Sequence, residues 1–162
     1  MNVLVDIQNA TTESVPDEGD IRRWISDAVN AVRTDPEAPC EVSVRLVDDA
    51  EMAELNGRYR DKPQPTNVLS FPSELPEELE LPLLGDIVIC APVVRREAEQ
   101  QDKPLSAHWA HMAVHGALHL LGYDHIDDDD AQQMESLETS ILAGMGLPCP
   151  YQQPAMNEPA QR

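Results

Sequence analysis

The sequence predicts an α+β fold, a small mixed four-stranded sheet packed with helices around one central buried helix. Three stretches carry that expectation. Residues 41–47 alternate, with Val42, Val44 and Leu46 on one side and Glu41, Ser43 and Arg45 on the other, the two-residue period of a half-buried strand. Between 21 and 32, Ile21, Trp24, Ile25, Ala28, Val29 and Val32 recur at helical spacing and form one apolar face. From Leu105 to Leu121 the chain has little polar surface apart from histidines, which predicts a helix buried on most sides.

The remaining elements follow in order. Residues 3–8 form a short strand. Asp20 is the expected N-cap of the helix over 21–32. Asp48 followed by Glu51 resembles a capping box with Asp in place of Ser or Thr, and opens a helix through Met52, Leu55 and Tyr59 that Pro63 and Pro65 stop. Asn67–Phe71 and Asp86–Cys90 read as strands on either side of a Pro/Glu-rich loop over 72–82. A helix over 93–100 follows Pro92. The last helix runs from about Asp128 to Ala143, with Met134, Leu137 and Ile141 inward. Residues 1–147 form one domain, and the Pro/Gln-rich 148–162 is expected to be a flexible tail.

Composition limits the function classes. The chain has 162 residues and is 41% hydrophobic, enough for one core. No apolar run approaches the roughly 20 residues that cross a bilayer. The start, Met1 to Asp6, lacks the basic region of a signal peptide. Cys40, Cys90 and Cys149 are odd in number and far apart, which suits a reducing cytoplasm rather than a disulfide framework. A net charge of -19 repels free nucleic acid at long range and favours basic protein partners. Aromatic residues are too scarce for a stacking platform, so any RNA contact has to be built locally.

All five histidines lie between 108 and 125. On a helix, His108, His111, His115 and His119 fall within about 80° of one another. A lone buried histidine is ordinarily a hydrogen-bonded core residue, whereas four on one face each need a partner, and a metal ion serves several at once. His115 and His119 stand one turn apart. His111 and His115 do so as well, but Gly122 allows the chain to turn back and bring His125 to the same point, which favours His115, His119 and His125. Three protein ligands and a fourth position for water are the pattern of one catalytic zinc ion. His108 and His111 are then supporting, substrate-contacting or core residues. The spacing H-x3-H-x2-G-x2-H resembles the zinc site of metzincin peptidases, with one departure. Those enzymes carry a glutamate general base after the first histidine, where this chain has Gly116.

Arg58, Arg60 and Lys62 are the densest basic patch. A guanidinium there could hold a phosphate through two hydrogen bonds, or pair with one of the many carboxylates. Asp127–Asp130 suits the positive end of a helix better than a second metal. Asp124 could orient a histidine ring or cap a turn. Ser70 has no partner set that would make it a nucleophile, and Cys90 is expected to be buried and inert.

The string from Ala107, A-H-W-A-H-M-A-V-H-G-A-L-H-L-L-G-Y-D-H, closely resembles the YbeY family of bacterial endoribonucleases. So do L-N-G-R-Y-R at 55–60, T-N-V-L-S-F-P at 66–72 and L-L-G-D-I-V-I-C at 83–90. Relatives more often read Asp-Lys-Pro directly before the threonine, where this chain has Asp-Lys-Pro-Gln-Pro. The resemblance implies zinc on His115, His119 and His125 and a functional arginine at Arg60. It also implies single-strand-specific cleavage in small-subunit rRNA 3′-end maturation, and a role in ribosome quality control. RNA held in a ribosomal particle, with its basic proteins, would reconcile this with the acidic surface. A rival expectation is a non-catalytic ribosome-assembly protein whose zinc is structural and takes a fourth protein ligand such as His111. A peptidase is disfavoured by Gly116.

Overall fold

The alternating stretches pair as strands, and the computed structural model describes residues 3–32, 39–72, 83–123 and 128–147. In chain order the elements are β1 (Val3–Asn9), α1 (Glu18–Val32), β2 (Cys40–Val47), α2 (Asp49–Arg60), β3 (Val68–Pro72), β4 (Leu83–Cys90), α3 (Ala91–Gln101), α4 (Leu105–Leu120) and α5 (Asp128–Gly144). The sheet order is β1-β2-β4-β3; β1, β2 and β4 run parallel and the edge strand β3 is antiparallel to β4. The architecture is therefore the expected α+β arrangement with a mixed four-stranded sheet. His125, Asp124, Asp127, Cys149, residues 148–162 and the loop over 73–82 lie outside the described residues.

The pleat sorts side chains to two faces. Val42, Val44, Leu46, Val68, Ile87 and Ile89 enter one large core with α1, α4 and α5. Val47, Leu69 and Val88 turn the other way and meet Met52 of α2 and Cys90 in a smaller cluster. Helix α4 lies at the centre of the large core, with Trp109, Ala110, Ala113, Val114, Ala117 and Leu118 buried. No helix among the described residues is long and apolar enough to cross a membrane.

Two local expectations are corrected by longer-range contacts. Asp20 is not the N-cap of α1, because the helix already begins at Glu18 and Asp20 lies in its first turn, paired with Arg23. Asp48 does cap α2 in extended conformation, yet no capping box forms and its side chain makes no cap hydrogen bond. Its carboxylate instead accepts the hydroxyl of Thr11, and Glu51 is drawn to Arg45 at 2.6 Å. Both acids find better donors on distant segments than on their own helix end. Helix α2 ends at Asp61, in left-handed conformation, two residues before Pro63.

Gly116 sets how closely α4 lies on the sheet. A Cβ at this position would stand 2.9 Å from Ile87 Cγ2 and 3.1 Å from Val68 Cγ2. Both neighbours are β-branched and have little rotamer freedom to retreat. Alanine has about 1 kcal/mol better helix propensity than glycine, so Gly116→Ala would stabilise a helix limited by propensity. Overpacking of roughly 1–3 kcal/mol outweighs that here. We expect the variant to unfold at lower urea concentration than wild type, measured by tryptophan fluorescence.

Candidate metal centre

Helix α4 carries His108, His111, His115 and His119 in successive turns, and its end is built for a sharp reversal. Gly122 has φ +104°, its N–H donates to His119 O, and the N–H of Tyr123 donates to Leu118 O. This is a Schellman ending with glycine at the position where a left-handed turn is cheapest, as the sequence predicts. His125 follows it outside the described residues, so the convergence that includes it stays an expectation.

The imidazoles stand in a row along α4. Ring centroids are 6.0 Å apart for His108–His111, 6.2 Å for His111–His115 and 4.6 Å for His115–His119. The last pair is the tightest and includes the two residues that i, i+4 spacing selects. Each of the first three rings meets a carboxylate from a neighbouring helix. His108 Nε2 lies 2.8 Å from Glu97 Oε1 of α3, and Asn67 donates to both oxygens of the same group. His111 Nε2 lies 2.9 Å from Glu138 Oε1 of α5, and His115 Nδ1 lies 2.5 Å from Glu138 Oε2.

Glu138 is the functional candidate that sequence reasoning missed. Its side chain is fully buried, on the same stripe of α5 as Met134 and Leu142. An acid at i+4 from a core methionine was the available signal, since an acid on a buried stripe needs a specific partner. Burial alone would raise its pKa, but the hydrogen bonds from His111 and His115 outweigh that and hold it at about 2. Glu138 is therefore a carboxylate and accepts at both oxygens. Burial pushes the His111 ring below the ordinary imidazole value, against the pull of Glu138. A neutral His111 facing a carboxylate with Nε2 carries its proton there.

His111, His115 and Glu138 could hold a metal ion, because one ligand atom from each lies within 4.8 Å of the others. The contacts as they stand are those of hydrogen bonds. Zinc ligands at about 2.0–2.1 Å in a tetrahedron are roughly 3.3 Å apart, wider than the 2.5 Å between His115 Nδ1 and Glu138. At that spacing the two groups share a proton, and an ion between them would need the side chains to part. With Nδ1 of His115 directed at Glu138, the lone pair that a metal can take is on Nε2, and among the described residues the His119 ring is the nearest imidazole to share it. Two imidazoles one turn apart are a donor set that suits zinc.

The other candidates also find places. Ser70 Oγ donates to Gly116 O at 2.8 Å and fastens the edge strand to α4 beside His115. Cys90 is buried at the start of α3, with its thiol pushed up to about 11 by burial, which suits an inert residue. Arg58 pairs with Glu54. Arg22, Arg23, Arg45, Arg95 and Arg96 are paired as well. Among the described residues, Arg60 is the arginine with no carboxylate in ion-pair reach. It lies on α2, across the sheet from α4, so the structure does not bring it directly against the histidines.

Against this geometry, the sequence model of the family Endoribonuclease YbeY matches residues 6–146. The chain belongs to the YbeY family. A curated relative named Endoribonuclease YbeY, from Cellvibrio japonicus (strain Ueda107), is 52% identical over 155 residues, which cover 95% of this chain and 86% of the relative. The solution structure of TM1509 from Thermotoga maritima aligns with a TM-score of 0.55 at 21% identity. It covers 95% of this chain and 100% of that one, and so shares the fold. The matched YbeY region contains β2, β3 and β4, β1 from Asp6 onward, and the whole of the histidine helix.

The depressed pKa of Glu138 has a consequence for acid stability. Its stabilising contribution is complete above the ordinary value of 4.5 and is lost as pH falls toward about 2. Wild type minus Glu138→Gln stability should therefore shrink by on the order of 3 kcal/mol between pH 5 and pH 2. Urea unfolding of both chelator-treated proteins across that range checks it, and a difference that is constant with pH contradicts it.

Proposed function

We propose that the chain is a zinc-dependent, single-strand-specific endoribonuclease of the cytoplasm. Its substrate is small-subunit rRNA, cut near the 3′ end late in maturation and in ribosome quality control. His115, His119 and His125 are the zinc ligands, in an open site like that of the metzincins. The observation that carries the reading is the His115–His119 pair, 4.6 Å apart, in a chain 52% identical to a relative named an endoribonuclease.

Bound zinc supplies a Lewis acid and lowers the pKa of its water to roughly 7. The chain supplies the rest. Arg60 binds the phosphodiester, and its lack of a carboxylate partner among the described residues leaves its guanidinium able to do so. Its position on α2 is compatible with this role because β3 is the edge of the sheet. Tyr59, beside Arg60, packs its ring 5.0 Å from Phe71, while the adjacent Ser70 holds Gly116 beside His115. Tyr59, next to Arg60 on α2, and Gly116, next to His115 on α4, thus meet neighbouring residues of an edge strand, and an RNA strand laid over that edge would run past both helices. Gly116 cannot act as a base and faces the sheet, which argues against peptide hydrolysis. A net charge of -19 favours rRNA presented among basic ribosomal proteins over free RNA.

A second reading is favoured by the His111, His115 and Glu138 grouping: a closed, fold-stabilising ion in an assembly protein that cuts nothing. Cleavage separates the two, because a closed site leaves no coordination position for an attacking water. Zinc-loaded wild type, Arg60→Ala and His119→Ala, purified in parallel, should be compared on a small-subunit rRNA precursor fragment. Wild type should cut, and both variants should be slower by about 100-fold or more. His119→Ala should also lose zinc. Equal cutting by all three would mean a contaminating nuclease and remove the support for this reading.

A further inference from the structure

Packing does not require an acid at position 138. A neutral side chain of similar volume would fill the space beside Met134 and Leu142 without the desolvation cost of a buried charge. What a carboxylate does, and an amide does not, is accept at both oxygens. Two ring nitrogens facing one buried carboxylate are both compelled to be donors. For His115 this places the proton on Nδ1 and the lone pair on Nε2. An amide would turn an N–H toward one of the rings and reverse that ring's tautomer. His111 holds the other oxygen at 2.9 Å, so the carboxylate plane cannot turn away from His115.

We propose that Glu138 is the positioning residue of the metal site, held by His111 on one oxygen and fixing His115 with its Nε2 lone pair toward the ion. The inference rests on His115 and His119 being ligands. Glu138 itself does not touch the ion or the substrate. Its carboxylate makes the His115 ring a stronger donor and removes the freedom of the ring to rotate or change tautomer, as partners behind a ligating histidine do in zinc sites. His111 acts at one further remove, through Glu138, and so has a role distinct from that of a fourth ligand.

The test compares zinc affinity, by competition with a chelating indicator, for wild type, Glu138→Gln and His119→Ala. Long-range proton–nitrogen NMR of wild type, with and without zinc, reads the His115 tautomer. Glu138→Gln should bind zinc about 10- to 100-fold more weakly than wild type. His119→Ala, which removes a ligand, should lose more. In wild type, His115 should carry its proton on Nδ1 both before and after zinc is added. A folded Glu138→Gln with wild-type zinc affinity overturns the proposal, as does a wild-type His115 protonated on Nε2. If Glu138→Gln loses zinc more completely than His119→Ala, Glu138 is itself a ligand and the positioning role is wrong. Undiminished zinc binding by His119→Ala would instead refute the ligand set. Should Glu138→Gln fail to fold, the wild-type tautomer alone still decides.

Discussion

A helix buried at the centre of a core can carry a row of imidazoles only if the rings find polar partners within the protein. That requirement organises this protein. Helix α4 is placed by apolar contacts with the sheet and with α1, but its polar side is met by Glu97 from α3 and Glu138 from α5. Each carboxylate ties two helices together, so the positions of α3 and α5 relative to α4 are set by hydrogen bonds as well as packing. The same contacts face one nitrogen each of His108, His111 and His115 with a carboxylate, which favours a proton there. Fold and site chemistry therefore share one set of interactions, and neither can be altered without the other.

Much of this was legible because it is local. The alternation over 41–47, the periodicity over 21–32 and the apolar run over 105–121 became β2, α1 and α4 within a few residues of their expected bounds. The turn at Gly122 and the adjacency of His115 and His119 follow from helix geometry alone. The helix starts at Asp20 and Asp48 were less legible, because capping preferences compete with partners such as Thr11 and Arg45 that only the tertiary fold supplies. Glu138 was missed for a related reason. Its significance comes from two histidines more than twenty residues away, and pattern reading counts α5 by its apolar residues.

The edge strand β3 has two roles in five residues. Leu69 and Phe71 face the smaller cluster on the α2 side, while Val68 and Ser70 face α4. Strand alternation thus directs consecutive residues to α2 on one face and to α4 on the other. Because β3 is the edge strand, those two faces meet at the margin of the sheet. In so acidic a chain, an arginine with no ion-pair partner among the described residues is the exception.

The close seat of Gly116 on the sheet also limits which enzymes could arise from this scaffold. A peptidase-type glutamate at position 116, directly after His115, would have to project where Ile87 and Val68 already stand. Installing it would mean trimming both side chains or lifting the helix from the strands, so the substitution at 116 is not enough by itself. Two hydrolase chemistries with nearly the same histidine spacing are separated here by a steric barrier in the core, and drift at position 116 cannot carry one into the other.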